Sequence, residues 1–213
     1  IQLYTRALRA APDTVSVLVN RGLAYQEEGD VKAAVRDYER ALELNPKYGP
    51  AYYGRGWARH WQGDYEGAVA DAKRGLLLDR ENPGMYLRRL GTAYQGLKRY
   101  DEAIETLTQA IELMPEDEGT LYNRGLCYHE MGQYERAIAD FTRALELDSD
   151  WDWALNSRGT AYERLGQLEA ALADFNAALS AAGVVVVDHA GLMAVAGGWA
   201  GDGVHLSGAG DRR

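Results

Sequence analysis

The feature that most constrains this chain is a period. Gly22, Gly56, Gly91, Gly125 and Gly159 recur at spacings of 34, 35, 34 and 34, inside the phrases "NRGLAY", "GRGWAR", "RLGTAY", "NRGLCY" and "SRGTAY". A second phrase follows each one: "AAVRDYERALELNP", "GAVADAKRGLLLDR", "EAIETLTQAIELMP", "RAIADFTRALELDS" and "AALADFNAALSAAG". A fixed repeat of roughly 20 to 50 residues means that one supersecondary unit is stacked several times, each burying its apolar face against the next. Both phrases read as helices, separated by a turn carrying Gly in "EEGD" and "EMGQ", and Pro46 or Pro115 closes the second. Gly22 and Ala34 are small where the two helices cross, Tyr25 and Tyr38 fill the space beside them, and Ala41 lets the next hairpin approach.

These residues resemble the tetratricopeptide repeat family, whose period and order of small, aromatic, Ala and Pro positions they follow from residue 1 to about 181. The resemblance implies an all-α fold: a right-handed superhelical solenoid of helical hairpins, with a short non-repeat C-terminal tail. The units fall at 15–48, 49–83, 84–117, 118–151 and 152–181, with the tail at 182–213. Residues 1–14 match only a second helix, "YTRALRAAP" aligning with "YERALELNP". The second repeat departs most, with Arg59, Ala72, Gly75 and Arg80 where the others carry aromatic, aromatic, Ala and Pro or Ser, and is expected to be the loosest.

Composition narrows the function classes. A net charge of −9 argues against general affinity for nucleic-acid phosphates or an anionic membrane. Cys127 is the only cysteine, so an intrachain disulfide and a cysteine-based zinc cluster are ruled out. The apolar stretch "VVVVDHAGLMAVAGGWA" is interrupted by Asp188 and His189 and falls short of the ~20 apolar residues a spanning helix needs. The opening "IQLYTRALRAAP" has no initiator Met and reads as a cut inside something longer, which leaves the compartment open, with the cytoplasm favoured. No cofactor or metal is expected: His60 and His129 sit on different hairpins with no carboxylate cluster nearby in sequence.

A charge pair recurs with the period. Arg21, Arg55, Arg124 and Arg158 immediately precede the repeated Gly, and Asp37, Asp71, Asp140 and Asp174 stand sixteen residues later. In the third repeat both change together, to Leu90 and Thr106. Concerted replacement within one chain predicts contact between the two helices of a hairpin, a guanidinium fork on a half-buried carboxylate that sets register.

In the resembled family the concave wall is built mainly from the first helix of each hairpin. That implies a wall of Val19, Leu23 and Gln26, then Tyr53, Trp57, His60 and Trp61, then Arg88, Thr92 and Gln95, then Tyr122, Leu126 and His129, then Asn156, Thr160 and Glu163. From these, Tyr53, Trp57, His60, Trp61, Arg88, Gln95, Tyr122, His129 and Asn156 are the candidate peptide-binding residues, because rigid aromatics beside arginine make good anchors. Trp57, four residues from Trp61, could equally pack against the neighbouring hairpin. Family members that clamp a chaperone's terminal carboxylate use Lys and Asn at places that hold Val19, Leu23, Tyr53 and Trp57 here, which argues against that specific role. The expected function is a non-catalytic scaffold holding a protein or peptide, with its oligomeric state open.

The tail shifts sharply toward Gly, Val and Ala. "VVVVD" and then "DGVHLSGAGDRR" resemble the end of a GDSL-type (SGNH) hydrolase, which would make Asp202 and His205 the acid and base of a Ser-His-Asp triad. None of Ser16, Ser149, Ser157, Ser180 and Ser207 lies in a Gly-Asp-Ser phrase, and segments matching the family's oxyanion donors are missing too. The pair is therefore expected to be orphaned. The alternative is that this is a fragment of a repeat-plus-esterase protein.

Overall fold

A computed structural model describes residues 1–182 as eleven helices joined by short turns, with no strand among the described residues. They are α1 (Gln2–Ala10), α2 (Val15–Glu27), α3 (Val31–Leu44), α4 (Gly49–Trp61), α5 (Tyr65–Leu78), α6 (Pro83–Gly96), α7 (Tyr100–Leu113), α8 (Glu118–Glu130), α9 (Tyr134–Leu147), α10 (Asp152–Arg164) and α11 (Leu168–Ala181). Five antiparallel hairpins run from α2/α3 to α10/α11, and α1 is the second helix of an incomplete one. Each turn needs one residue in the left-handed region: Gly29, Gly63, Gly132 and Gly166 take φ values of 82°, 78°, 73° and 73° without steric cost. In the third hairpin Lys98 does this instead, at φ 59°. Asp30, Asp64 and Asp117 start their helices by accepting from the backbone N–H of Ala33, Gly67 and Thr120 at 3.0, 2.9 and 2.9 Å.

The glycines of the repeat are where helices touch. The Tyr38 ring lies between two first helices, so close that a Cβ at Gly22 or Gly54 would stand 2.6 or 2.5 Å from it. Phe141 and Phe175 close on Gly125 and Gly159 at 2.6 and 2.7 Å in the same way. Between these rings, Ala34, Ala41, Ala51, Ala58, Ala103, Ala110, Ala137, Ala144, Ala154 and Ala161 are wholly buried, which holds the helices at close range. In the second hairpin, expected to be loosest, the space is filled from elsewhere. Tyr86 of α6 covers Gly75 and donates to Asp79 at 3.1 Å, while Arg59 reaches Asp71 at 2.9 Å.

All four repeated arginines fork onto their aspartates. Nε and Nη2 of Arg21, Arg55, Arg124 and Arg158 donate to both carboxylate oxygens of Asp37, Asp71, Asp140 and Asp174 at 2.7–2.9 Å. Three of these arginines also donate from Nη1 to a threonine on the second helix of the preceding unit: Thr5, Thr108 and Thr142 at 3.4, 3.1 and 3.1 Å. One guanidinium thus ties three helices. In the third hairpin Leu90 is buried with Leu107 in an apolar cluster, and the Thr106 hydroxyl turns back to the Glu102 carbonyl at 2.7 Å.

Curvature follows from which helices meet. The backbone of each first helix approaches the next closely (α2 with α4, α4 with α6, α6 with α8, α8 with α10), whereas the backbones of successive second helices stay farther apart among the described residues. The row of first helices is therefore the short, concave side of a right-handed superhelical solenoid.

Candidate functional site

The concave row sets α2, α4 and α6 side by side in the N-terminal part of the groove. Trp57 belongs to that wall because the repeat puts it one residue after Gly56, turned by about 100° from the side that meets the second helix. Its ring is stacked on His60 at 5.3 Å and meets Trp61 edge-on at 5.5 Å. Trp61 is 66% exposed, unusual for so large an apolar side chain. Cavities open on both sides of this pair. One, of about 580 Å³, is lined by Leu23, Gln26, Val31, Tyr53, Trp61 and Arg89 among others; the second, of about 600 Å³, by His60, Gln95, Lys98, Leu126 and Glu130. Trp57 and Trp61 line both, so Trp57 packs within its helix and faces the groove at once.

Two adjacent arginines on α6 end differently. Arg88 donates from Nη1 to both oxygens of Asp117 at 2.8 and 3.1 Å, which ties α6 to the start of α8. Arg89, one residue on, points to the cavity and has no carboxylate within 4.0 Å among the described residues. Its guanidinium carbon lies 3.7 Å above the Trp57 ring centre and 4.7 Å from that of Tyr53, and its Nη2 donates to the Tyr53 hydroxyl at 2.8 Å. Burial lowers its pKa from the usual arginine value, yet a guanidinium stays charged near neutrality. Burial, and after it the positive charge of Arg89, also pushes the His60 imidazole below its ordinary pKa.

The other candidate residues divide by place. Gln95 lines the second cavity. Tyr122 is half-buried against Trp151 and Phe141, at 4.6 and 5.7 Å, and its hydroxyl lies 3.3 Å from that of Ser157. With the exposed Asn156 it lines a third cavity of about 490 Å³ near Trp153 and Leu179. His129 packs edge-on against Tyr134 of its own hairpin at 5.3 Å and lines none of these cavities.

Sequence reasoning picks out Arg88 and passes over Arg89. The available signal is a comparison down the repeat: Asn20, Gly54, Asn123 and Ser157 hold the equivalent place in the other units, and Arg89 is the charged exception. Lys98 escapes likewise, although it stands where the other turns carry Gly.

No group of three or more His, Cys, Asp or Glu is placed to hold a metal ion among the described residues. Cys127 is wholly buried and its thiol is pushed up to about 12 by that burial, so it is no nucleophile near neutrality. No helix among these residues is long and apolar enough to cross a membrane. Asp202, His205 and the rest of the hydrolase-like segment lie outside the described residues.

Known proteins share this arrangement. Tetratricopeptide repeat models match residues 15–48, 81–150 and 116–183, more than half of the chain; the divergent stretch around Arg59, Ala72 and Gly75 falls between the matches. No curated protein matches. Among solved structures, TTC0263, a thermophilic repeat protein of this kind from Thermus thermophilus, is 25% identical, covering 79% of this chain and 92% of that one, with a TM-score of 0.69. The MamA protein is likewise 25% identical, covering 80% and 92%, with a TM-score of 0.64. YrrB, described as a repeat protein of this kind with an unusual peptide-binding site, is 24% identical over 91% of this chain and 97% of that one, with a TM-score of 0.61. With the period, the hairpins and the family models in agreement, the chain belongs to the tetratricopeptide repeat family.

Proposed function

We propose that the chain is a non-catalytic protein-interaction scaffold that holds a peptide or an extended segment of a partner protein in its concave groove. The observation that carries this reading is the exposed Trp61 packed on the half-buried Trp57, a pair that lines two cavities of the concave wall at once. Covering one such ring stabilises a complex by roughly 1.5–3 kcal/mol, and a two-ring ridge loses little conformational freedom on binding because it is already packed. Around the ridge the wall offers apolar side chains beside hydrogen-bonding ones, the mixture that seats a peptide's side chains and its backbone together. The same fold carries a peptide-binding site in YrrB.

The test is an unbiased pull-down with the immobilised chain beside its Trp61→Ala and Trp57→Ala variants, each checked for helical circular dichroism. Proteins retained by the parent and lost from both variants are the expected result. An identical set recovered from all three would show that the groove is not the binding face.

A further inference from the structure

Arg89 is the feature of the groove that the fold itself does not use. Where the four repeated arginines each have an aspartate and Arg88 has Asp117, Arg89 is held only by aromatic faces and a phenol. Its Nη1 makes no hydrogen bond among the described residues, and its buried Nε has no partner either. Asp117 is near enough to act on it through space but not to touch it, and a partly buried cation with no carboxylate in contact gains from one brought by a ligand. Over Trp57 at 3.7 Å and tied through Nη2 to the Tyr53 hydroxyl, the guanidinium is already held in place, so that Nη1 can meet a carboxylate oxygen with little further ordering.

We infer that Arg89 is the recognition point for an internal Asp or Glu side chain of the bound segment, with a bulky apolar residue beside it seated against Leu23, Val31 and Trp61. This rests on the groove reading above and adds the ligand's chemistry to it. An internal acid fits better than a chain end because cavities continue on both sides of the Trp57–Trp61 ridge, so the segment runs past Arg89 in both directions. Glu27 lines the cavity that holds Arg89 and Glu130 lines the other, which disfavours additional acids on the bound segment.

Two random twelve-residue peptide libraries selected on the immobilised chain test this, one displayed with its C-terminus fused and one with it free. Enriched sequences are synthesised with capped ends, and affinities are read by fluorescence anisotropy for each peptide and its acid-to-amide counterpart. The expected result is enrichment from the fused library of Asp or Glu at a fixed distance from Leu, Ile, Phe or Trp. Affinity should fall about tenfold with the amide peptide and equally with Arg89→Gln, and the two losses should not add. Peptides that lose binding to Trp57→Ala but ignore Arg89→Gln would overturn the inference and leave the groove reading standing. Enrichment confined to the free-terminus library, abolished by amidating the chain end, would also overturn it. No enrichment from either library would remove the groove reading and the inference together.

Discussion

The third hairpin and its neighbours use arginine in opposite ways. In the other four, the arginine before the repeated glycine faces inward and is closed on an aspartate, so its charge serves register between helices. In the third, that place is Leu90 and the fork is replaced by apolar packing against Leu107. Its arginines stand at the two preceding positions, where one reaches Asp117 and the other faces the groove. A step of one residue turns a helix side chain by about 100°, enough to exchange a tie between helices for a half-buried group that faces the groove. The hairpin that gives up its own ion pair is the one that furnishes the groove with a guanidinium that no carboxylate touches among the described residues.

The largest effect that could break this contrast is on stability. Arg124→Leu leaves Asp140 buried without its fork and should destabilise the fold by ~3–5 kcal/mol in urea unfolding. Adding Asp140→Thr copies the third hairpin's pair and should recover much of that loss. If the double variant is as unstable as the single one, Leu90 and Thr106 are not an equivalent solution to the same contact.

A smaller effect distinguishes the turns. Lys98 occupies a left-handed conformation that the other hairpins reserve for glycine, and nothing in the fold explains the choice beyond its place on the second cavity. Lys98→Gly should stabilise the chain by ~0.5–1 kcal/mol, and Gly132→Lys should cost a similar amount, both read from thermal unfolding. Equal stabilities would mean that the turn carries no strain.

Effects of similar or smaller size fall on the groove itself. Arg89→Gln should cost about 1 kcal/mol, less than Arg124→Leu, because it loses a ring contact and a hydrogen bond to Tyr53 but breaks no ion pair. His60 should titrate by NMR below its ordinary value, chiefly through burial. With its folded pKa depressed, its contribution to stability is complete above the unfolded value of ~6.5 and declines as pH falls through the folded pKa. Arg89→Gln should move that titration up, though not all the way, since burial remains.

How much of this is legible in the sequence depends on whether a residue's partner is set by the repeat. The hairpins, the crossing glycines and the Arg–Asp forks follow from the period, because contacts at a fixed offset recur and can be compared within one chain. The threonine partners of the same arginines also stand at a fixed offset, sixteen residues before Arg21, Arg124 and Arg158, and that pattern is there to find. Tyr86 over Gly75 and Arg59 on Asp71 are not legible, because they are one-time compensations at the repeat that departs from the pattern. Arg88 and Arg89 are indistinguishable as letters. Only the rotation of α6 decides which of them meets Asp117 and which meets Trp57.

The central claim is that partners bind the concave wall, and site-specific photo-crosslinking addresses it most directly. A benzophenone amino acid placed at position 61, on the inner ridge, is compared with one at position 143, on the exposed face of an outer helix. The account predicts that a binding protein is captured from position 61 and not from position 143. Capture from position 143 with none from position 61 would contradict it.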